Sequence, residues 1–416
     1  MTARPVHVTR EIHPSNREIS GRLLLGDAVS RLEGLLPEFE GRVKLIYMDP
    51  PFMTGDRFFM RLRVGAEGWR GSRANFAVPS YRDLRDREEY LSLLRAVLTL
   101  CRRLLREDGM IFVHVDYRAD AHVRLLMDEL FGERNFLNEI IWVYQSGGRS
   151  VRHFSRKHDV ILFYARSQEY DFNIDAVMSV PKQPRSNHMR RHVDPDGRVY
   201  RSIRANGKVY TYYDDDPVAP TDVWADLNHL QQKDPERTGY DNQKPLALLE
   251  RIVRCASREG EWVLDPFAGS ATTLEAARRN GRRFLGVERC ALSLNIARRR
   301  LAGCGYALEF DAPAEDAPAC RVSVRAGVGF YHASLEVFDA DTEGLPEGAG
   351  PLDAVDGWSL GYLREDGYHV MDETLRTRRA PELREELAAP VYDGQLMAAV
   401  SDVRGRTWYY AVALDE

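Results

Sequence analysis

Two short apolar runs that each stop abruptly in a turn constrain the fold more than any other feature of the chain. Residues 43–48, VKLIYM, have the pattern of a buried strand, and Asp49-Pro50-Pro51-Phe52 follows directly. Each proline lacks an amide donor, so no central strand continues through both and the chain must turn there. The run WVL at 262–264 likewise ends in the turn DPFAGS at 265–270. Ligands of open α/β sheets bind beyond the carboxyl ends of strands, so both turns are candidate sites.

Strand and helix patterns alternate around these turns. The hydrophobic periodicity predicts further strands and helices, namely strands at 22–26, 110–115 and 283–287, and helices at 28–36, 84–106, 119–131, 245–257, 271–280 and 291–301. Residues 139–143 and 159–164 have the pattern of an antiparallel strand pair. Residues 53–83, which are rich in glycine, are predicted to form a long loop. The βαβ order predicts an α/β core with a mostly parallel sheet.

The net charge of −5 is unevenly distributed along the chain. Residues 305–416 carry about −13, so residues 1–304 carry about +8. Residues 141–213 alone carry about +7, with aromatic residues interleaved, a composition that suits a phosphate backbone. We expect the acidic C-terminal part to serve subunit or partner contacts. No apolar stretch approaches the roughly 18 residues that cross a bilayer, which favours a cytoplasmic protein without membrane contact.

The turn at 265–270 has the composition of a cofactor site. Gly269 allows a close approach of the backbone, and the helix that follows presents free amide groups. Glu288 ends the next predicted strand, FLGVE, where an acidic side chain can accept hydrogen bonds from both ribose hydroxyls of an adenosine cofactor. The pairing of this turn with Glu288 predicts an adenosine-binding site.

The turn at 49–52 has the residue types that activate an amine on a nucleobase. Such an amine is a poor nucleophile because its lone pair is delocalised into the ring. Hydrogen bonds from the amine to the Asp49 carboxylate and the Pro50 carbonyl would free that lone pair. Pro51 helps to fix the carbonyl, and Phe52 offers a face on which an extruded base can stack. We therefore predict Asp49, Pro50, Pro51 and Phe52 as the catalytic group.

These two motifs resemble motifs IV and I of amino-group DNA methyltransferases that use S-adenosylmethionine. The resemblance rests on IYMDPPF at 46–52 and LDPFAGSATTLEAARRNGRRFLGVE at 264–288, with further matches at 22–32, 109–132, 156–167 and 236–253. Together the matches cover nearly all of residues 20–303. The order of the motifs is that of the β group, which includes the modification subunits of type III restriction systems. The resemblance implies a Rossmann-like fold with a seven-stranded, mostly parallel and circularly permuted sheet.

The resemblance also implies roles for individual residues. Asp27 would contact the cofactor adenine, Glu288 its ribose, and Lys244 its methionine carboxylate. The rest of the cofactor site would be formed by Gln243, Pro245, Asp265, Pro266, Phe267, Ala268, Gly269 and Ser270. The chain departs from the family pattern at Ala271, where a second glycine is common, and at Asn242 and Met53.

Two groups of basic residues are candidates for DNA binding. They are Arg149, Arg152, Arg156 and Lys157 after the predicted strand at 139–143, and Arg190 and Arg191 in the irregular segment beyond it. The second group lies where this family keeps target recognition, so we expect phosphate contacts with some base reading. Double-stranded DNA is the expected partner. A homodimer formed through the C-terminal domain and a restriction or defence-system partner are further expectations.

Four regions follow from this division of the chain. We predict a catalytic half at 1–165, a target-recognition module at 166–240 whose basic segment starts near 145, a cofactor-binding half at 241–304, and an acidic β-rich accessory domain at 305–416. The expected activity is site-specific methylation of the N6 amine of adenine in DNA, with S-adenosylmethionine as donor and no metal. Three alternatives stay open: N4-cytosine methylation, a non-catalytic DNA-binding subunit that keeps the fold, and methylation of RNA. Ring-carbon methylation of cytosine is excluded, because no cysteine follows a proline.

Overall fold

The computed structural model describes residues 3–14, 20–71, 75–144, 150–180, 189–231, 233–310 and 316–414. The α-helices are α1 Ala28–Phe39, α2 Gly65–Arg70, α3 Arg87–Leu104, α4 Asp120–Phe131, α5 Leu246–Ala256, α6 Thr272–Arg279 and α7 Leu294–Leu301. The strands up to the end of the basic segment are β1 Arg4–Val6, β2 Arg10–His13, β3 Gly21–Leu25, β4 Val43–Met48, β5 Arg57–Arg63, β6 Asn75–Arg82, β7 Leu105–Val115, β8 Phe136–Val143, β9 His158–Ala165, β10 Arg190–Val193, β11 Val199–Ala205 and β12 Lys208–Tyr213. The later strands are β13 Val223–Trp224, β14 Trp262–Asp265, β15 Arg283–Glu288, β16 Tyr306–Glu309, β17 Cys320–Ala326, β18 Phe330–Phe338, β19 Val355–Arg364, β20 Gly367–Leu375, β21 Glu386–Pro390, β22 Gln395–Asp402 and β23 Thr407–Ala411.

Seven neighbouring strands of one long sheet follow the order β3-β15-β14-β4-β7-β9-β8, and the short strand β13 pairs with β8 at the end of this sheet. The first five run parallel to one another. β9 runs antiparallel to both of its neighbours, β7 and β8. β14, which leads into the 265–270 turn, comes late in the chain but pairs with β4, which comes early. The order of strands in the sheet is therefore permuted relative to their order in the sequence. The predicted fold, a seven-stranded mostly parallel sheet with one antiparallel strand, is confirmed.

Helices cover both faces of this sheet. Apolar side chains of α1, α3 and α4 form one core layer with the sheet, and those of α5, α6 and α7 form the other. α1 begins where Asp27 accepts hydrogen bonds from the amides of Val29 and Ser30 at 3.0 and 3.3 Å. This capping satisfies amides that have no partner within the helix. Every residue of β4 is buried, as a central strand requires.

The expectation of a long loop at 53–83 is wrong. β5 and β6 pair in an antiparallel hairpin, with α2 between them. β5 has the two-residue period of a half-buried strand, since Met60 and Leu62 are buried while Arg61 is exposed. Gly65 and Gly71, which suggested a loop, lie at the two ends of α2 with positive φ angles of 58° and 95°. The glycines therefore turn the chain into and out of a helix.

The segment at 166–240, expected to be irregular, contains a regular element as well. β10, β11 and β12 form a three-stranded antiparallel sheet of their own. Its aromatic rings pack on one another, with His192 stacked on Tyr200 and Tyr213 beside it. Within the described residues, no helix has the length and apolar character to span a membrane.

The C-terminal part is rich in strands and continues the central sheet. β16 pairs with β3 on one side and β2 on the other, and β20, β19, β22, β23 and β1 extend the sheet from there. A second sheet, β17-β18-β21, packs on these strands. The three predicted boundaries between the four regions remain predictions, and the boundary at 305 falls directly before β16, a strand of the long sheet.

A buried ionic network joins the two ends of the chain to α7. Arg298 donates a hydrogen bond to Glu11 at 2.8 Å, and the Tyr409 hydroxyl donates to the same carboxylate at 2.7 Å. His13 bonds the other oxygen of Glu11 at 2.5 Å. Burial opposes the charge on Glu11, but Arg298 and His13 outweigh it and hold the pKa of this carboxyl well below its ordinary value. Each buried charge has an opposite charge in contact, as burial requires.

Candidate active site

The carboxyl ends of β3, β4, β14 and β15 meet at one edge of the sheet around a cavity of about 540 Å³. The cavity is lined by eleven of the residues predicted from the sequence: Asp27, Asp49, Pro51, Lys244, Asp265, Pro266, Phe267, Ala268, Gly269, Ser270 and Glu288. The turns at 49–52 and at 265–270, predicted to be the catalytic and cofactor turns, therefore open into the same space. A volume of this size holds a molecule as large as a nucleoside derivative.

The glycine turn lies tightly against its surroundings. Gly269 has a φ of 49°, and a Cβ atom there would meet the Tyr240 ring at 3.3 Å. Ala271, where the family often has a second glycine, has a φ of 59° as well. An L-residue in this left-handed conformation costs roughly 1 kcal/mol, so the chain keeps the turn at the expense of some strain.

Glu288 is fixed by the backbone of both neighbouring turns. One carboxylate oxygen accepts the Gly269 amide at 2.7 Å, and the other accepts the Cys290 amide at 2.6 Å. Burial raises the pKa of this carboxyl above its ordinary value. A carboxylate has about four acceptor positions in all, so Glu288 can still accept a hydrogen bond from a ligand hydroxyl group.

Asp265 adds a second buried carboxyl. It is 2% exposed and accepts the Phe267 amide at 3.0 Å. Burial, and to a lesser degree the negative charges of Asp49 and Glu288, raise its pKa to about 7. A cation in the cavity would reverse this effect by stabilising the carboxylates, so the electrostatics favour a positively charged ligand.

Asp49 forms an ion pair with Lys244, whose Nζ lies 2.6 Å from the Asp49 Oδ2. The other oxygen, Oδ1, is buried and has no hydrogen-bond partner among the described residues. The Lys244 ammonium also lies 5.0 Å from the centre of the Phe52 ring. The turn at 49–52 thus has one free acceptor atom and an aromatic face, with the Lys244 cation close to both.

A buried hydrogen-bond chain lies behind this turn. The Tyr47 hydroxyl is 2.9 Å from Nδ1 of His114, and His114 Nε2 is 3.2 Å from Asp159. The Tyr144 hydroxyl donates to the other oxygen of Asp159 at 3.0 Å. The His114 ring lies 6.3 Å from that of Phe52. These residues lie on β4, β7 and β9 and directly after β8, and they contact the turn through the rings of His114 and Phe52.

Several predicted residues lie beside the cavity without lining it. Pro50 is buried within the turn, Phe52 is half-buried, and Pro245 directly precedes α5. Gln243 is buried and accepts hydrogen bonds from Thr238, while its amide donates to the Glu236 carbonyl at 2.9 Å. Gln243 thus ties together the segment of chain that directly precedes Lys244. Its contact with a cofactor stays a prediction.

Sequence reasoning missed other residues that line the cavity: Gly26, Ala28, Tyr47, Ser80, Leu93, Tyr240, Asn242, Leu249, Thr272, Thr273, Val287, Arg289 and Cys290. Tyr47 could have been found, because it lies two residues before Asp49, on the strand that Asp49 directly follows. Ser80 carries no comparable signal, since the β5–β6 hairpin brings it to the cavity. Its carbonyl lies 3.4 Å from the Cys290 sulfur.

The basic residues predicted to bind DNA lie in two places. Arg149 falls outside the described residues. Arg152 and Arg156 are exposed and Lys157 is half-buried between β8 and β9, beyond the carboxyl end of β8 and hence at the same edge as the cavity. Arg190 and Arg191 are exposed on β10. Their contacts with DNA stay predictions.

Comparison with known proteins places this site in a family. Residues 43–298 match the family model described as DNA methylase, of the N6 and N4 type. The chain is 26% identical over 307 residues to the type II methyltransferase M.EcaI of Enterobacter cloacae, covering 63% of this chain and 65% of that one. It is 28% identical to the DNA adenine methyltransferase YhdJ of Escherichia coli K12, covering 67% of this chain and 82% of that one.

A likeness to a solved structure covers a similar share of the chain. The PvuII DNA methyltransferase, described as cytosine-N4-specific, aligns over 69% of this chain and 90% of its own length, with 15% identity and a TM-score of 0.44. The matched family region, in contrast, contains both turns and the strands that carry them. The chain therefore belongs to the DNA methylase family of N6 and N4 amino-methyltransferases, as its motifs predict.

Proposed function

We propose that this protein transfers a methyl group from S-adenosylmethionine to the N6 amine of adenine in double-stranded DNA. The observation that carries the proposal is the single cavity shared by the turns at 49–52 and 265–270. A methyl donor held by one turn and an amine held by the other would meet within that space. Such a transfer needs the two reacting atoms within about 3.5 Å, which one shared cavity permits.

The residues around the cavity suit S-adenosylmethionine. The two fixed oxygens of Glu288 can accept hydrogen bonds from the ribose hydroxyls. Asp265 and Asp49 provide negative charge for a ligand that carries both an ammonium and a sulfonium, and Gly269 lets the turn take its left-handed conformation beside the cavity. When bound, the cofactor supplies an electrophilic methyl group. Asp27 and Lys244 would hold its adenine and its carboxylate, as the family resemblance implies.

Asp49 would prepare the amine for attack. Its unpartnered Oδ1 can accept one amine hydrogen, and the Pro50 carbonyl can accept the other. Both bonds draw the nitrogen toward tetrahedral geometry and release its lone pair for attack. Phe52 would stack on the extruded base, and the Lys244 cation lies near the Phe52 ring. The proton leaves the amine during or after transfer.

Adenine is favoured over cytosine by two facts. The turn is D-P-P-F rather than S-P-P, and the relative from Escherichia coli is named as a DNA adenine methyltransferase. N4-cytosine methylation uses the same amine chemistry and is the second candidate. The relative M.EcaI is named as a type II methyltransferase, so we assign a role in restriction-modification or a related defence system. Within this proposal, residues 166–240 recognise the target, and the acidic C-terminal strands contact a second copy or a defence partner.

The test is methylation of DNA that carries no methyl groups. The purified protein would be incubated with radiolabelled S-adenosylmethionine and unmethylated phage DNA, and the digested nucleosides would be separated. Label in N6-methyladenine supports the proposal, label in N4-methylcytosine supports the second candidate, and label in neither overturns both. Single-molecule sequencing of the same DNA would then give the recognition sequence.

Two variants control this test. Asp49→Ala should bind S-adenosylmethionine but transfer no methyl group. Asp56→Ala, which removes an exposed carboxylate from the same loop between β4 and β5, should keep full activity. Transfer by Asp49→Ala at the wild-type rate would contradict the catalytic role of Asp49.

A further inference from the structure

Two apolar side chains are fully exposed in the loop between β8 and β9. Phe154 is 98% exposed and Val151 is 101% exposed. Among the described residues, the next most exposed aromatic ring is that of Tyr392, at 50%. A phenylalanine ring gains free energy when it leaves water, so a ring left wholly in water suggests a surface that covers it at some stage of function.

The loop holds these side chains outward through its own hydrogen bonds. The Ser150 hydroxyl accepts the amides of Arg152 and His153, both at 3.3 Å, and the Ser150 amide donates to the Ser155 hydroxyl at 3.2 Å. The His153 ring lies 2.9 Å from the Phe154 carbonyl. These bonds form a compact turn. The exposed Phe154 ring is therefore held in place by hydrogen bonds within the turn, and not by an extended strand.

The base of this loop lies next to the catalytic turn. The Tyr144 amide donates to the Lys157 carbonyl at 2.9 Å and closes the loop. Tyr144 then reaches Asp159, and Asp159 reaches His114, whose ring lies beside Phe52. The loop therefore rises from the same edge of the sheet at which an extruded base would stack.

The surroundings of the two apolar side chains are cationic. Arg152 lies between them in sequence, and Arg156 follows, with its guanidinium 3.9 Å from the centre of the exposed Tyr117 ring. An apolar tip within a cationic rim fits a duplex, whose phosphates are anionic and whose base stack is apolar. An apolar protein surface would match the ring but would leave the arginines unpaired.

We propose that Phe154, with Val151 beside it, inserts into the DNA stack at the target base pair and fills the space that the extruded adenine leaves. This proposal rests on the proposed function and adds the residue that stabilises the extruded state. Extrusion breaks stacking and pairing around the target base. A ring that enters the gap restores part of the stacking, and Arg152 and Arg156 hold the adjoining phosphates.

The test compares two duplexes that carry the recognition sequence found by sequencing. In the first, the target adenine is paired with thymine; in the second, it faces an abasic site, where the pairing is already lost. We expect Phe154→Ala to lower kcat/KM on the paired duplex by about ten- to a hundredfold, the range of one lost stacking contact. On the abasic duplex the loss should shrink to about threefold or less, because little extrusion cost remains.

Controls separate insertion from other roles. Phe154→Trp keeps a stacking ring and should keep most of the activity on the paired duplex. Phe330→Ala removes a partly exposed ring from β18, which is not part of the sheet edge at the cavity. This variant should leave kcat/KM on both duplexes unchanged. Fluorescence of 2-aminopurine at the target position should rise on binding wild-type protein and rise less with Phe154→Ala.

The outcomes distinguish the two proposals. Equal losses on both duplexes, or no loss on the paired one, would overturn the insertion role while methylation by the wild type stands; no loss would leave a protein surface as the partner of this loop. Absence of methylation by the wild-type protein would instead overturn the proposed function. Calorimetry of S-adenosylmethionine binding to Phe154→Ala checks that this variant is folded.

Discussion

Asp265→Asn is expected to stabilise the protein above neutral pH. Burial raises the pKa of this carboxyl from an ordinary 3.8 to about 7. The folded protein therefore binds the proton more tightly than the unfolded chain does between about pH 4 and pH 7. Since the unfolded chain binds fewer protons in this range, the free energy of unfolding falls as pH rises, and the loss is complete above the folded pKa. Asparagine is neutral throughout and avoids this loss.

The magnitude follows from the size of the pKa difference. A difference of about three pKa units corresponds to a destabilisation of up to about 4 kcal/mol at pH 8, of which less than half is already present at pH 5. The advantage of Asp265→Asn over the wild type should therefore grow by about 2.5 kcal/mol between pH 5 and pH 8. The asparagine oxygen can still accept the Phe267 amide that Asp265 accepts at 3.0 Å, so the turn should keep its geometry.

The assay is urea unfolding of both proteins at the two pH values. Asp56→Asn, at an exposed carboxylate, is the matched control and should show no comparable change between pH 5 and pH 8. If the stability advantage of Asp265→Asn changes by less than about 0.5 kcal/mol between pH 5 and pH 8, burial does not raise the pKa of the Asp265 carboxyl. Calorimetry should show weaker S-adenosylmethionine binding by Asp265→Asn, which would mean that the protein keeps a destabilising carboxyl for the sake of its ligand.

Three further predictions concern ligand binding. Glu288→Gln removes one acceptor that holds the amides of Gly269 and Cys290, so the Kd for S-adenosylmethionine should rise by about tenfold or more in calorimetry; an unchanged Kd would remove Glu288 from the ribose site. Lys244→Met should weaken cofactor binding by a similar factor of about ten, whereas Lys244→Arg should restore part of it; full affinity in Lys244→Met would contradict a carboxylate contact. Replacing Arg190 and Arg191 by Glu should make the slope of log K for DNA binding against log salt shallower by about two; an unaltered slope would place both side chains off the phosphates.

The site was more predictable from sequence than the surroundings that complete it. Prolines after β4 and a glycine after β14 are local signals, because they fix where a strand must end. The parallel order of the strands then brings both ends to one edge, which explains why Asp49 and Gly269 share a cavity. Tyr240 and Ser80 could not be placed in this way. Ser80 reaches the cavity through the β5–β6 hairpin, and Tyr240 reaches it through the segment before α5. Both positions depend on packing between distant parts of the chain.

Local signals were also misleading where they allow more than one structure. The glycines between 53 and 83 are compatible with a loop or with the ends of a short helix, and only the pairing of β5 with β6 decides between them. Ala271 shows the reverse case. Its side chain gives no indication of a left-handed conformation, yet the turn between β14 and α6 imposes one. Tertiary packing overrides the local preference at that residue.

The pairing of the first strands with the last ones has a consequence for synthesis on the ribosome. β1 pairs with β23, and β2 lies between β16 and β20, so their partners are translated hundreds of residues later. At about 5 to 20 residues per second, the first strands wait roughly 20 to 80 s for these partners. During that time Glu11 lacks Arg298 and Tyr409, and the edge of β3 that β16 covers stays open. A nascent chain halted before β16 should therefore be a chaperone client and sensitive to proteases, even though all four strands that end at the cavity have already been made.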